Sequence, residues 1–484
     1  MSQINVSNLT FTYEGTYDNI FENVSFRIDT DWKLGFTGRN GKGKTTFLNL
    51  LLGKYEYNGN ISASVDFQYF PYNVSDKTML TSAIVEEICP DYQDWQLARE
   101  LSLLDVDEDV LHRPFETLSN GEQTKVLLAA LFLSENSFLL IDEPTNHLDM
   151  SGRKIVSDYL NGKSGFILVS HDRAFLDRCV NHVLSINKAN IEVQKGNFSS
   201  WFANKELQDN FERLQNIKLK KQISQLEKAA RKNADLSDRM EALTPPAGNA
   251  KEKGGRLMTK SKAVETRIKR AVDEKKELLK NLDYASDLEI TQLPYPKSRY
   301  LSLKDVSIFY GEKEVCNGVS FDINHGDRIA LCGKNGSGKS SILKLICGLD
   351  NITHTGDFAM GSGLKISYVS QDTSFLSGNL TDYAQENNID ESLFKAILRK
   401  LDFLRIQFEK DMRDFSGGQK KKVLIARSLC EKAHLLVWDE PLNFIDVLSR
   451  MQIERLLLEY QPTILFVEHD SVFCNAIATR VVNL

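Results

Sequence analysis

The sequence predicts an α/β fold built twice, as two phosphate-loop domains in tandem joined by a long antiparallel α-helical hairpin. Three observations carry this. The first is an internal repeat: Tyr13 is matched by Tyr310, Gly38–Thr45 by Gly333–Ser340, Leu118–Gln123 by Phe415–Gln419, Phe138–Glu143 by Leu435–Glu440, and Ser170-His171-Asp172 by Glu468-His469-Asp470. These five pairs keep their order at offsets of 297, 295, 297, 297 and 298, as a duplicated domain of about 190 residues requires. The second is the alternation of short apolar runs with helical stretches. Leu139-Leu140-Ile141 and Leu435-Leu436-Val437 read as buried parallel strands. The third is a shift in composition between the copies, where Lys, Glu, Gln, Ala and Leu dominate. The boundaries that follow are 1–198 and 296–484 for the two domains and 199–295 for the hairpin, with its tip at about 244–260.

Bulk composition narrows the function classes. The 484 residues are 42% hydrophobic and 26% charged, which is globular and too long for one ordinary core. No apolar run reaches eighteen residues, and Met1–Val6 lacks the basic-then-apolar pattern of a secretory signal. The 7 cysteines (Cys89, Cys179, Cys316, Cys332, Cys347, Cys430 and Cys474) are scattered and form no C-x-x-C pair. That argues against a disulfide framework, a zinc finger or an iron–sulfur cluster, and a reduced, cytoplasmic setting is expected. Net charge is −6, but residues 205–280 hold 20 Lys+Arg against 12 Asp+Glu, or +8, leaving −14 elsewhere. A basic segment sits between two acidic bodies, so any polyanionic partner belongs to it.

The chemistry is concentrated in the repeated motifs. Gly38, Asn40, Gly41, Gly43, Lys44, Thr45 and Thr46, and their counterparts Gly333, Asn335, Gly336, Gly338, Lys339, Ser340 and Ser341, form two G-x-x-x-x-G-K-[ST] loops. In such a loop backbone N–H groups wrap phosphates, the Lys reaches the outer phosphate oxygens and the hydroxyl binds Mg²⁺. The helix that follows adds its dipole. Asp142 and Asp439 end apolar strands and are placed to hold Mg²⁺ through water. Glu143 and Glu440 follow and are placed to polarise an attacking water. His171 and His469 end further apolar runs 28 and 29 residues later, where a contact to the terminal phosphate is expected.

The combination of a phosphate loop, Leu118-Ser119-Asn120-Gly121-Glu122-Gln123 or Phe415-Ser416-Gly417-Gly418-Gln419, and an Asp-Glu-Pro strand end resembles the ATP-binding-cassette superfamily. The resemblance covers nearly all of the chain outside residues 200–295. It implies two cassettes that sandwich ATP, the Ser-Gly motif of each closing over nucleotide held by the other. Site one would then use Lys44, Thr45, Asp142, Glu143 and His171 with Ser416, Gly417, Gly418 and Gln419. Site two would use Lys339, Ser340, Gln371, Asp439, Glu440 and His469 with Ser119, Asn120, Gly121 and Glu122. The serine and its backbone amides would face the terminal phosphate. Tyr13 and Tyr310 match the aromatic that stacks on adenine in that superfamily, or are edge-strand aromatics. Departures are visible. Gln371 has Tyr72 as its counterpart, so site one is expected to arrange Mg²⁺ or its water differently. Phe415 replaces a Leu, and Pro441–Asp446 departs from the Pro144–Asp149 form. Both glutamates are present, so hydrolysis at both sites is expected, at unequal rates.

The segment between the repeats reads as two helices. Leu219, Ile223, Leu226 and Ala230, then Leu236, Met240 and Leu243, mark an amphipathic helix from about 199 to 243. Pro245-Pro246, Gly248 and Gly254-Gly255 break it. A second helix is expected from about 259 to 282 through Val264, Ile268, Val272 and Leu279. The tip is basic, with Lys251, Lys253, Arg256, Lys260 and Lys262 against Glu252, and suits a phosphate-rich groove of structured RNA. Tandem cassettes around a basic hairpin resemble the ABC-F family of ribosome-binding translation factors. That resemblance implies a monomer with no membrane or DNA partner, in which residues about 205–280 reach 23S rRNA and tRNA at the exit-tRNA site of the bacterial 70S ribosome. Tyr72 to Ser119 spans 47 positions against 45 from Gln371 to Ser416, leaving no room for an extra arm in the first cassette, and the chain ends 15 residues after His469. An armless form without a C-terminal extension is most similar to the Lsa-type branch, which implies protection from lincosamide, pleuromutilin and streptogramin A antibiotics. A housekeeping translation factor of the same family, and the ATPase pair of a drug exporter, are the alternatives.

Overall fold

The computed structural model describes residues 2–13, 19–134, 136–146, 148–187, 190–242, 292–350, 352–403 and 405–484. The chain divides into two compact units: residues 1–199 with 287–484, which contain both repeats, and residues 200–286.

Each repeat is built on a mainly parallel sheet with a smaller antiparallel sheet beside it. In the first, the order from edge to edge is Asp66–Phe70, Ser137–Asp142, Phe166–Val169, Lys33–Thr37, His182–Asn187 and Asn190–Lys195, only the last pair being antiparallel. In the second, the order is Ile366–Val369, Leu435–Asp439, Ile464–Val467, Arg328–Cys332 and Arg480–Asn483, all parallel. Phe166–Val169, Leu435–Asp439 and Ile464–Val467 are buried along their whole length. A strand covered on both faces can be apolar at every position, which is why these runs do not alternate. The smaller sheets, Phe21–Asp29, Gln3–Phe11 and Asn58–Ser62 in one repeat and Lys313–Asn324, Arg299–Tyr310 and Thr353–Met360 in the other, leave residues of one face in solvent and mix polar with apolar positions. Aromatic rings lock one core: Phe47 sits edge-on to Phe21 and Phe36 at centroid distances of 6.0 and 5.5 Å.

A cluster of helices completes each repeat. These are Thr81–Ile88, Asp94–Leu103 and Asn120–Leu133 in the first, and Leu380–Glu386, Glu391–Lys400 and Gly417–Cys430 in the second. The consequence for chemistry lies in strand order. The strand feeding the phosphate loop, the one ending before His171 and the one ending in Asp142 are adjacent and parallel, so all three carboxyl ends open into one crevice, the usual ligand position in such sheets.

In the other unit, one helix runs from Phe198 to Ala242, 45 residues, or about 67 Å at 1.5 Å per residue, matching the expected first arm. Ile223 is buried, whereas Leu207, Phe211 and Leu214 face solvent. The expected second arm, the Pro245-Pro246 break and the basic tip lie outside the described residues. No helix among the described residues is long and apolar enough to cross a membrane.

Candidate nucleotide sites between the two repeats

The phosphate loops leave the strands Lys33–Thr37 and Arg328–Cys332 and enter the helices Lys44–Leu51 and Lys339–Cys347. The last glycine of each loop is left-handed, with φ of 98° at Gly43 and 87° at Gly338. A Cβ at Gly43 would lie 2.6 Å from Ile20 Cγ2, and one at Gly338 would lie 3.0 Å from Cys316 Cβ. Conformation and space both demand glycine there. Lys44 arches back over its loop, donating to the Gly38 carbonyl at 2.6 Å and Asn40 Oδ1 at 3.2 Å. Lys339 donates to the carbonyls of Gly333 and Lys334 at 3.0 and 2.8 Å. Burial lowers both ammonium groups below the ordinary lysine range, and the acidic side chains around them resist that.

Beside each lysine a hydroxyl meets a carboxylate. Thr45 Oγ1 donates to Asp142 Oδ2 at 3.4 Å, and Ser340 Oγ to Asp439 Oδ1 at 3.1 Å. Burial raises both aspartates above the usual carboxylate range. Each also accepts from a tyrosine that sequence analysis did not assign: Tyr69 on Asp142 at 3.0 Å, and Tyr368 on Asp439. Both stand three residues before the matched positions Tyr72 and Gln371, a repeat visible in the sequence. These are hard oxygen donors with no sulfur or imidazole among them, a set that fits Mg²⁺.

The glutamates that follow are left-handed in both repeats, with φ of 52° at Glu143 and 45° at Glu440. Non-glycine residues hold that conformation only where their surroundings impose it. Here the backbone N–H groups are fixed to the carbonyls of Val169 and Val467 on the next strand, and each carboxylate turns toward the histidine of that strand. His171 Nε2 lies 3.3 Å from Glu143 Oε1, and His469 Nε2 3.5 Å from Glu440 Oε1.

The two glutamates differ in environment. Glu440 Oε2 accepts from Gln371 Nε2 at 2.9 Å and from Asn443 Nδ2 at 2.6 Å. Burial pushes its pKa up, but the hydrogen bonds and charges of His469, Asn443 and Lys421 outweigh that and hold it below the ordinary value. Gln371 therefore meets Glu440, while Ser340 and Tyr368 face Asp439. Tyr72, its counterpart, is turned away and donates to Glu87 at 2.9 Å. Glu143 has no such amide donors: its Oε1 is buried with His171 Nε2 at 3.3 Å, close but outside hydrogen-bond geometry. Burial, then the neighbouring Asp142 charge, raise Glu143 well above the carboxylate range against Arg450 and Lys44.

The Ser-Gly motifs are helix N-termini. Ser119 caps Asn120–Leu133 and Ser416 caps Gly417–Cys430, each with a reciprocal box to the third helical residue. The boxes are unlike. Ser119 Oγ donates to the Glu122 carboxylate at 2.7 Å, whereas Gln419 is neutral and its Oε1 accepts from Ser416 N at 2.9 Å.

The repeats face each other head to tail, with clefts between them. A cleft of about 890 Å³ is lined by Lys339, Ser340, Gln371, Glu440 and His469 of the second repeat and by Ser119, Asn120, Gly121 and Glu122 of the first. A smaller one, about 400 Å³, is lined by Asn40, Gly41, Glu143 and His171 of the first repeat and by Ser416, Gly417, Gly418 and Gln419 of the second. Asn40 Nδ2 donates to the Phe444 carbonyl at 2.8 Å, Arg153 to the His469 carbonyl at 3.2 Å, and Arg173 pairs with Glu454, all across the two repeats. Phe444, left-handed at φ 64°, and Asn443 were not assigned from sequence, although the repeat pairs Asn146 with Asn443. Tyr13 packs edge-on to Phe11 and Tyr55, with its hydroxyl 2.7 Å from Thr46 Oγ1. Tyr310 is largely exposed at the end of its strand.

The profile of the family described as ABC transporter matches residues 21–146 and again 316–443. The chain belongs to the ABC transporter family. Two ATP-binding cassettes make it an ATPase, with ATP as the substrate of paired cassettes. Over nearly its whole length it is similar to the ribosome protection protein VmlR of Bacillus subtilis (strain 168), at 27% identity over 480 residues, covering 96% of this chain and 83% of that one. It is also 28% identical over 515 residues to the ATP-binding protein Uup of Buchnera aphidicola subsp. Acyrthosiphon pisum, covering 99% and 80%. Among solved structures, the archaeal ribosome recycling factor aABCE1, crystallised with the ribosomal stalk protein aP1, superposes with a TM-score of 0.65 at 17% identity, covering 98% of this chain and 87% of that one. At that identity the match speaks for the tandem-cassette fold.

Proposed function

We propose that this ATPase is an ABC-F protein that binds the bacterial 70S ribosome at the exit-tRNA site and protects it from antibiotics of the peptidyl-transferase centre. The observation that carries the reading is the segment 205–280, with 20 Lys+Arg against 12 Asp+Glu, which lies in sequence between two cassettes and opens with the helix Phe198–Ala242. The similarity to a ribosome protection protein along 96% of the chain supports it. A basic helix about 67 Å long suits the phosphate lining of structured RNA, and the exposed Leu207, Phe211 and Leu214 add apolar area beside the cations.

In this reading ATP seats its phosphates on the loop N–H groups and on Lys44 or Lys339, with the N-terminal amides of the facing helix at Ser416 or Ser119 closing over the terminal phosphate. Thr45 with Asp142, and Ser340 with Asp439 and Gln371 nearby, are the residues that would hold Mg²⁺, which supplies charge neutralisation to the phosphates when bound. Glu143 and Glu440 orient and deprotonate the attacking water, and His171 and His469 hold those carboxylates and reach the terminal phosphate. ATP draws the cassettes together and sets the hairpin for ribosome binding; hydrolysis releases them. Glu440, ionised and oriented by two amide donors, is the faster base, and Glu143, held toward its neutral form, the slower one.

The similarity to Uup proteins favours a second reading, a housekeeping translation factor acting without drugs. Expression in a susceptible bacterial host separates the two. Protection predicts a raised inhibitory concentration of lincosamide, pleuromutilin or streptogramin A, lost on Glu143→Gln with Glu440→Gln. Unchanged sensitivity with normal expression would sink protection and leave the housekeeping role.

A further inference from the structure

Outside the phosphate-binding groups, a charged contact ties the first phosphate loop to the second cassette at site one. Arg39 Nη2, in the first phosphate loop, lies 3.0 Å from Asp402 Oδ1 of the second cassette. Asp402 is mostly buried. Burial pushes its carboxyl up, Arg39 and then Lys422 pull it down, Asp446 pushes it up again, and Gln452 donates to its other oxygen at 3.2 Å. Because Arg39 is the largest charge stabilising that carboxylate, the ion pair is made at some desolvation cost and depends on Arg39 being in place.

The repeat places the same two charge types at site two. Lys334 follows Arg39 by 295 residues, the offset of the phosphate loops, and Asp402 follows Asp105 by 297. Asp105 and Asp402 also share a backbone that non-glycine residues seldom adopt, with φ of 52° and 66°. Each N–H turns back to the third preceding carbonyl, Ser102 at 3.1 Å and Arg399 at 3.0 Å, just beyond the helices Asp94–Leu103 and Glu391–Lys400. A costly conformation repeated at matched positions fixes where the carboxylate points. Lys334 and Asp105 both line the larger cleft, and among the described residues no ion pair joins them.

We propose that Arg39–Asp402 is a positioning ion pair that latches site one shut, and that Lys334 and Asp105 form the matching latch of site two, open in this structure. The latch lies outside the phosphate-contacting groups and reads closure directly: the loop that grips nucleotide in one cassette is tied to the helical cluster that carries the Ser-Gly motif of the other. Arginine at the made latch offers a forked donor to the carboxylate, and lysine at the open one a single rotatable charge.

The inference rests on the composite-site reading, so the test reads both. In the full chain carrying Glu440→Gln, Kd for a fluorescent ATP analogue and ATP turnover are measured for Arg39→Glu, Asp402→Arg and the two together. Arg39→Gln and Asp402→Asn serve as near-isosteric variants, and melting temperature is recorded for each. Each reversal is expected to weaken nucleotide affinity by about fivefold and the combined reversal to recover it to within about twofold, a coupling of the size neighbouring charges show. Salt should weaken the parent and the double reversal but change the single reversals little. Losses that multiply in the double reversal, with folded proteins, would overturn the latch. Failure of the parent itself to bind nucleotide would overturn the composite sites and the latch together. Lys334→Glu with Asp105→Lys in a Glu143→Gln background repeats the test at site two.

Discussion

At the scale of single residues, the two sites share a plan and differ in detail. Phosphate loop, magnesium-binding pair, glutamate and histidine are present in both, and the strand order brings each set to one crevice. Glu440 is ionised and held by two amide donors; Glu143 has a buried oxygen without one. Replacing both with Gln is expected to cut ATP turnover by about a hundredfold or more, the span of a lost general base, while ATP binding by equilibrium dialysis stays within a few-fold. Glu440→Gln alone should cost more turnover than Glu143→Gln alone; equal losses would contradict the assigned asymmetry. Cys332 supplies a second check. The neighbouring Cys474 thiol, with support from His469 and Lys339, lowers its thiol below the ordinary cysteine range against burial, and it lines a cleft beside Lys339. Burial raises Cys179, Cys347 and Cys430. A thiolate is the reactive form, so alkylation of Cys332 should precede that of these cysteines. ATP should slow it; labelling in another order, read by peptide mass, would contradict this. The loops, aspartates and glutamates were legible in the sequence because each needs a residue type at a fixed chain spacing. Tyr69, Tyr368, Asn443 and Phe444 were not given roles, because what places them is contact across the fold or across the cassette interface.

At the scale of elements, stability and chemistry draw on the same helix ends. Ser119 and Ser416 cap the helices that aim their amides across the clefts, so changing either is expected to affect both fold and turnover. Asp390 offers a control. It accepts from Leu393 N at 2.7 Å and caps Glu391–Lys400 on the surface of the second cassette. Asp390→Ala should lower unfolding free energy by about 1 kcal/mol, measured by denaturant titration, and leave the Michaelis constant for ATP unchanged. Gly43→Ala should differ from that control by affecting both: the new Cβ strikes Ile20 and the left-handed φ is strained, so ATP affinity at site one falls together with stability. The long first arm was legible from its helical period, and it begins within a residue of the expected start because Phe198 is the first position after the turn that closes the sheet. The buried strands were legible as short unbroken apolar runs. The antiparallel sheets were less so, since their mixed polar and apolar positions are set by which face the rest of the cassette covers.

At the scale of the whole molecule, duplication gave two copies that met head to tail, and each copy then changed where the other makes contact. Glu122 stands opposite Gln419 and Lys334 opposite Arg39 in the repeat, both pairs between the cassettes, whereas Tyr72, the counterpart of Gln371, is turned away to Glu87. Chelating divalent cations with EDTA should remove turnover at both sites, because Thr45 with Asp142 and Ser340 with Asp439 offer only oxygen to a metal; turnover that persisted would count against those assignments. If closure over ATP makes the basic segment competent for the ribosome, the Glu143→Gln, Glu440→Gln protein should co-sediment with bacterial 70S ribosomes only when ATP is present. Pelleting is expected to require ATP and to fall as salt rises. A protein that binds ATP yet stays in the supernatant at low salt would contradict it.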